Sequence, residues 1–393
     1  MPALTRRQML LGAAGGWLMR AAGADPAAAP ELLAGLEGKV PLIRRSARPP
    51  NYETPLAELE AAYTSNRAFF VRYHLAVIPE LDPRTWSLQV GGASAQRPYQ
   101  LTLAQLRREF PPVEVSAVNQ CSGNRRGLFS PRVPGVQWTN GAMGNARWRG
   151  ARLRDVLQRA GIAPDALEVW ANGADGPVIP ATPDFVKSLP IERALDENSL
   201  IAYEMNGAPL PHLNGAPARL VVPGWTGTYW MKHLVQLSIE PRACDNFWMK
   251  SAYRVPAGAF RGSRFASQDN SDTVPITDIL VNSLITSHTD GARVRAGARG
   301  PLAGKAWDNG AGIAAVEYSL DGRRSWRSAR LGPDLGRFAW RGFEVPLGEA
   351  PRGALEVAVR ARSRDGSQQP DHLTPNPAGY HDNRIQSVRL EVT

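Results

Sequence analysis

Sulfur is scarce in this chain, whose 393 residues include two cysteines, Cys121 and Cys244. Two cannot build a disulfide framework, and neither belongs to a Cys-x-x-Cys pair. Whether they join each other depends on geometry that a sequence does not contain. The motif Cys-x-x-Cys-His does not occur, which excludes a covalently attached c-type haem in this chain. Paired metal-site spacing is missing too, which argues against structural zinc. No apolar run is long enough to cross a bilayer, so no permanent membrane anchor is expected. Lysine and arginine form no block and no nucleic-acid motif is present, so the net charge of +10 is not read as a nucleic-acid footprint. An acidic protein partner, or an anionic substrate and cofactor, accounts for it better.

Proline (33) and glycine (37) are plentiful, which favours turns and short strands over long helices. The first residues carry Arg6 and Arg7, an apolar run from Leu11 to Met19, and Ala22-Gly-Ala24 ahead of Asp25. Twin arginines before a modest apolar stretch and a small-residue cleavage site are the signature of the Tat route. That route carries folded proteins, so residues 1–24 are expected to be a signal peptide and the mature chain a periplasmic protein loaded with its cofactor before export.

Residues 25–66 read as an extended lead-in with short helical pieces. From there to 267, strand-like runs (Ser87–Val90, Val113–Val118, Leu167–Ala171, Arg219–Val222, Val235–Ile239) alternate with loops and with helices at Leu103–Phe110 and Leu153–Ala160. The layout is α+β, without the regular alternation of a doubly wound sheet. After about residue 268 the pattern turns to β runs at Ile276–Asn282, Ala292–Ala298, Ala314–Ser319, Gly336–Phe343, Leu355–Ser363 and Ile385–Val392, punctuated by Asp321-Gly322 and Asp365-Gly366. Such spacing suggests an immunoglobulin-like β-sandwich over 268–393.

The chemistry centres on Val118-Asn-Gln-Cys-Ser-Gly-Asn-Arg-Arg-Gly127. Here a cysteine leaves a strand, enters a glycine-bounded loop and has Arg125 and Arg126 close behind. Nearby cations and loop N–H groups favour a thiolate, ready to serve as nucleophile or metal ligand. A cysteine-protease reading would need a partner histidine and an orienting Asn or Asp; no local signature supports it.

The loop Cys121-Ser-Gly-Asn-Arg-Arg-Gly127 resembles the molybdenum-binding loop of the sulfite oxidase family. Other segments agree with that family in order: Phe69-Phe-Val-Arg-Tyr-His74, Leu200-Ile-Ala-Tyr-Glu-Met-Asn-Gly207, Arg219-Leu-Val-Val-Pro-Gly224 with Trp230-Met-Lys232, Phe247-Trp-Met-Lys-Ser-Ala-Tyr253 and, near the end, Tyr318-Ser-Leu-Asp-Gly322. The resemblance runs from about residue 50 to the C-terminus. It implies a molybdopterin-binding catalytic domain over 67–267, with the immunoglobulin-like second domain serving as an interface or dimerisation unit.

The resemblance also implies molybdenum held by a pterin dithiolene and the Cys121 thiolate, a soft-ligand set. Sulfite would be oxidised to sulfate, with Arg72 and Arg126 binding the oxyanion through fixed guanidinium geometry. Tyr253 would donate its phenolic hydrogen and His74 would hold it in place. Phe70, Val71, Arg72, Tyr73, His74, Asn214, Arg219, Trp230, Met231 and Lys232 would surround the pterin, with Arg219 and Lys232 facing its phosphate. Asn214 stands where animal members carry a histidine, leaving that contact to Asn214 or to His212. No counterpart is found for an arginine that vertebrate members draw from the second domain. Lacking a cytochrome b5-like stretch, the chain would pass electrons one at a time to an outside c-type cytochrome, as subunit or transient acceptor. A sulfane dehydrogenase of a thiosulfate-oxidising system is the alternative.

Overall fold

Short apolar runs separated by proline and glycine can bury themselves only by pairing as strands, and strands dominate this chain. The computed structural model describes residues 32–33, 36–295, 301–347 and 352–393; the signal peptide expected over 1–24 lies outside them. Among the described residues the helices are short, Leu103–Glu109 and Leu153–Ala160 being the two longest. Thr102 caps the first of these through a reciprocal box with Gln105. Where the sequence reads α+β, the described residues are mostly strands, with few and brief helices.

The N-terminal part holds two larger sheets. One places Val186–Pro190, Glu168–Gly173, Leu234–Glu240, Ser87–Gly91 and Tyr99–Thr102 side by side, with a parallel step between Leu234–Glu240 and Ser87–Gly91. The other orders Ala208–Pro209, Leu200–Met205, Met143–Arg152 and Pro112–Gln120, with Arg219–Val221 pairing onto Leu200–Met205. Met143–Arg152 is missing from the sequence expectation because Gly144, Asn145 and three arginines break its apolar alternation. Its inward positions are small residues around Trp148, which is wholly buried.

The lead-in differs from its expectation of short helical pieces. Leu42–Ser46, Asn51–Glu53 and Val71–Arg72 pair into a small sheet, and among its described residues only Leu56–Leu59 turns as a 3-10 helix. Glu53 explains the integration: its buried carboxylate accepts from Arg45 Nε (2.6 Å), Thr139 N (2.9 Å) and Gly141 N (2.7 Å). The lead-in is thus tied to the segment following the Cys121 loop.

From Asn282 onward two sheets face each other across one apolar core. The first runs Asn282–Ile285, Leu302–Trp307, Arg341–Val345, Arg330–Leu331; the second runs Ala292–Val294, Gln386–Val392, Gly353–Ser363, Ile313–Ser319, Arg327–Ser328. Ile285, Leu302 and Phe343 from the first meet Val316, Val357 and Leu390 from the second. Two expected strands are displaced. Ile276–Asn282 is not a strand until its last residue, because the backbone of this stretch bonds the first domain instead: Thr226 N donates to Thr277 O (2.8 Å) and Ile279 N to Gly224 O (2.8 Å). Gly336–Phe343 begins its strand only at Arg341, since Phe338 O accepts from Val118 N (2.9 Å) in the first domain. Of Ala292–Ala298, the strand is Ala292–Val294, and residues 296–298 lie outside the described ones.

The two halves share a core of their own, in which Leu59, Val118 and Met143 meet Ile279, Leu284, Trp307 and Trp340. Beside it, Arg125 in a left-handed conformation donates to Arg384 O (3.0 Å) and faces the buried carboxylate of Asp382 at 3.8 Å. Arg384 returns the contact by donating to Leu128 O (2.6 Å). The loop that carries Cys121 is therefore clamped by the second half of the chain. Asp382→Ala strips Arg125 of its carboxylate and leaves a guanidinium buried. The expected cost is about 3 kcal/mol, read as a lower midpoint in thermal unfolding; a variant as stable as the wild type would refute the clamp.

Candidate active site

Strand ends, not helices, deliver the site. Pro112–Gln120 ends immediately before Cys121, whose N–H bonds Ala142 O (2.9 Å) on the neighbouring strand side. The loop behind it is locked by Asn124 Oδ1, which accepts from Ala142 N (3.0 Å), and by Ser122 Oγ, which meets Thr226 Oγ1 (3.0 Å) and Thr228 Oγ1 (2.5 Å). Both cysteines are free thiols, which settles the pairing question. Cys244 is buried away from the site, its N–H bonded to Glu168 (2.9 Å), and burial pushes its thiol up to about 11.

Cys121 faces a cleft. Of the residues singled out in the sequence, Phe70, Arg72, Tyr73, His74, Asn214, Arg219, Trp230, Met231 and Lys232 line the same cleft. Val71 does not, and packs instead in a small cluster with Leu42, Tyr52 and Tyr73. His212 turns outward to Pro79 O (2.8 Å), so Asn214 is the member of that pair that reaches the cleft. Residues the sequence did not mark also line it, among them Asn119, Asp175, Phe185 and Thr228.

One end of the cleft is crowded with cations. Arg219, 4 % exposed, donates to Asn214 O (2.9 Å) and Trp230 O (2.9 Å), leaving its Nε without a partner. Burial lowers this guanidinium to about 9. Lys232 has its Nζ 2.9 Å from the centroid of the Tyr73 ring and is held well below the usual lysine range by burial, with Arg219, Arg72 and Lys39 adding repulsion. Lys39 donates to Asn214 Oδ1 (2.6 Å) and is brought down to about 7 by burial. Asp175 is the one carboxylate among the lining residues. Burial pushes its pKa up while Lys232 opposes the shift. Cations gathered so densely hold their charge best when an anion joins them. Behind Lys232, Tyr73 donates its hydroxyl to His233 Nε2 (2.7 Å) while His233 Nδ1 donates to Ala216 O (2.7 Å).

Arg72 and His74 line the other end, and Tyr253, which is not itself among the cleft-lining residues, stands against both. Tyr253 Oη is in hydrogen-bond contact with His74 Nε2 and accepts from Arg72 Nη2 (3.3 Å). His74 lies flat on Phe185, ring centroids 3.6 Å apart, with Trp248 edge-on at 5.6 Å. Burial, then the charges of Arg72, Lys232 and Lys187, hold this imidazole well below its ordinary value, so it is neutral near pH 7. Burial likewise raises the phenol of Tyr253, against the pull of Arg72, and the hydroxyl keeps its proton.

Arg126 is not among the cleft-lining residues. Its Nε donates to Ala378 O (2.7 Å), and its guanidinium carbon sits 5.0 Å from the centroid of the Tyr380 ring. Glycines make that slot: a Cβ on Gly123 would fall 2.6 Å from the guanidinium and one on Gly135 2.8 Å. Tyr380 also stacks on Tyr253 at 5.6 Å. The second domain thus contributes a tyrosine here. Sequence reading missed it because nothing near Tyr380 in the chain hints at a partner in the first domain.

The cleft suits molybdopterin on three grounds of chemistry. A free cysteine sulfur borders it, its cation-rich end matches a phosphate, and aromatic and amide groups line the space between. A family model described as the oxidoreductase molybdopterin binding domain matches residues 74–248, and one described as the Mo-co oxidoreductase dimerisation domain matches 273–393. These define a molybdopterin-binding oxidoreductase. Mitochondrial sulfite oxidase of Mus musculus is 36% identical over 370 residues, covering 90% of this chain and 66% of that protein. Sulfite oxidase of Gallus gallus is 36% identical over 357 residues, with 87% and 76% covered. Among solved structures, the sulfane dehydrogenase SoxCD from Paracoccus pantotrophus aligns with a TM-score of 0.74 at 26% identity, covering 95% of each chain. The chain belongs to the sulfite oxidase family. It spans just under two thirds of the mouse protein's length, at 66%.

The neutral buried histidines set an acid limit on stability. Burial drops His233 to about 3 from an ordinary 6.5. Below 6.5 the unfolded chain takes up a proton that the folded chain refuses, so this contribution is complete above that value and drains away as pH falls toward 3. Thermal midpoints are expected to fall on acidification from pH 6.5 to 4, and less steeply in His233→Gln. An identical slope in the variant would assign the loss to other groups.

Proposed function

We propose that this protein oxidises sulfite to sulfate at a molybdopterin centre and passes the electrons singly to a c-type cytochrome. The observation that carries the reading is the meeting, in one cleft, of the Cys121 sulfur, the Arg219–Lys232 cation cluster, and Arg72 with His74, the last two bonded by Tyr253. When bound, the cofactor supplies two-electron redox chemistry and oxygen transfer. The chain supplies the rest. Cys121 is the thiolate for the metal. Arg219, Lys232 and Lys39 neutralise the pterin phosphate, and Phe70, Tyr73, Asn214, Trp230 and Met231 shape the surrounding slot.

Sulfite is a small dianion, and its recognition falls to Arg72 with Arg126 behind it. A guanidinium offers several N–H donors in fixed directions, which a pyramidal oxyanion can accept from together. Two buried cations compensate the desolvation of the substrate. Tyr253, kept protonated, presents a neutral donor to a substrate or product oxygen. His74, kept neutral, orients that hydroxyl without adding charge. The burial of these groups excludes water that would compete for the same hydrogen bonds.

The remaining expectations belong to the same reading. The leader over 1–24 sends the folded, loaded protein to the periplasm by the Tat route; among the described residues no helix is long and apolar enough to cross a membrane. This reading takes residues 67–267 as the catalytic domain and 268–393 as the interface domain. The two facing sheets of the second domain are of immunoglobulin type. An acidic patch on the cytochrome would complement the basic chain.

The likeness to the sulfane dehydrogenase favours one second reading, in which the substrate is a protein- or thiol-bound sulfane sulfur. Steady-state assays of the molybdenum-loaded enzyme with sulfite and with a sulfane-sulfur donor, reading cytochrome c reduction, separate the two. Sulfite turnover alone is the expected result, and turnover of the sulfane donor alone would reverse it. Cys121→Ser should purify folded but with molybdenum content and turnover both lost; full turnover in that variant defeats the proposal. Arg126→Gln should raise the KM for sulfite by about tenfold or more, the effect of removing a buried positive charge from behind the Tyr380–Tyr253 stack. An unchanged KM would remove Arg126 from substrate binding.

A further inference from the structure

A lysine is buried beneath the tyrosine of the site, and no step above uses it. Lys187 lies on the strand Val186–Pro190 and is 2 % exposed. Its Nζ donates to Trp248 O (2.7 Å) and sits 4.8 Å from the centroid of the Tyr229 ring and 5.4 Å from that of Tyr253. Glu168, the acid whose charge reaches it, is already occupied by Cys244 N–H, Ser267 Oγ and Gln268 Nε2. Cys244 and Arg254 also act on Lys187, the first favouring its charge and the second opposing it.

Burying an ammonium against one carbonyl and two aromatic faces is a poor way to hold a fold together. Residues that break packing rules in this manner concentrate where function demands them. The two neighbours of Lys187 show what it serves. The Trp248 carbonyl it grips belongs to the turn Phe247–Lys250, which leads directly into Tyr253, and Tyr253 has a left-handed φ of 58°. The same turn is anchored to the strand of Lys187 by Asn246 Nδ2, which donates to Val186 O (2.9 Å). The Trp248 ring in turn forms the edge-on wall against His74.

We infer that Lys187 is a positioning residue for the Tyr253–His74 pair, bracing the tyrosine ring and the Trp248 wall that stands edge-on to His74. This rests on the role proposed above for that pair. The electrostatics run in the required direction. Lys187 is brought down to about 7, chiefly by burial, so it gains charge as the medium turns acidic. A charged Lys187 opposes protonation of His74, alongside Arg72 and Lys232. The imidazole therefore stays neutral over the range in which an ordinary histidine would begin to charge.

Full-length, molybdenum-loaded Lys187→Met and Lys187→Gln test this. Lys187→Met replaces the ammonium by an apolar chain of similar length, and its thermal midpoint should equal or exceed that of the wild type. In ¹⁵N-histidine spectra the His74 resonance, identified by its disappearance in His74→Gln, should titrate higher by about half a unit or more. The kcat should fall about tenfold or more, with KM for sulfite changed less than about twofold. Lys187→Gln, which can still donate to the Trp248 carbonyl, should recover part of kcat while keeping the His74 shift. If Lys187→Met does not fold, Lys187→Gln carries the same measurements. An unmoved His74 titration overturns the inference whatever the kinetics. That readout needs no substrate, so failure of the wild type to oxidise sulfite would defeat the proposed function and leave this inference to be judged separately.

Discussion

The cleft depends on a deficit of negative charge. Arg72, Arg219 and Lys232 line it, Lys39 reaches in through Asn214, and Asp175 is the only carboxylate on its wall. Burial works against each lysine and against Arg219, and the cations further suppress one another at Lys232. Nothing in such an arrangement favours folding for its own sake, since buried charge is tolerated only when it is compensated. The surroundings are built to bear it. Backbone carbonyls of Asn214, Leu213 and Trp230 accept from the cations, and the rings of Tyr73, Trp148 and Trp230 lie beside them. An anionic cofactor and an anionic substrate are the natural complement to this cluster.

The opposite policy governs the far end of the cleft. There the same burial that costs the cations holds His74 and Tyr253 neutral, and Arg72 stands between the two regimes by touching Tyr253. A neutral donor pair beside a fixed guanidinium can orient an oxyanion and release a more weakly held product. Rigidity comes from stacking: Phe185 under His74, Tyr380 on Tyr253, and Arg126 against Tyr380. The last two of these contacts cross from the second domain to the first. The interface domain is therefore part of the site, and the Arg125–Asp382 pair and Arg384 hold it there.

Much of this was legible from the order of residues. The Cys121 loop, the Phe69–His74 segment and the Arg219–Lys232 stretch are local motifs whose spacing survives without coordinates, and each sends residues into one cleft, though Val71 and Arg126 stay out of it. Strands with clean alternation, such as Ser87–Gly91 and Gly353–Ser363, were equally readable. Met143–Arg152 was not, because its inward positions are filled by small residues that carry no hydrophobic signal. Ile276–Asn282 misled for the opposite reason: it has the composition of a strand but spends its backbone hydrogen bonds on loops of the other domain.

By itself the sequence determined the family and most of the residues that line the cleft with Cys121, since each rests on a short contiguous pattern. Tertiary structure alone decided how those residues are charged and what stands behind them. Lys187, Tyr380, Asp175 and Lys39 have no local signature, being ordinary residues on ordinary strands and loops. They matter because folding brings them, from distant parts of the chain, into a volume where water is excluded and each charge is felt by its neighbours.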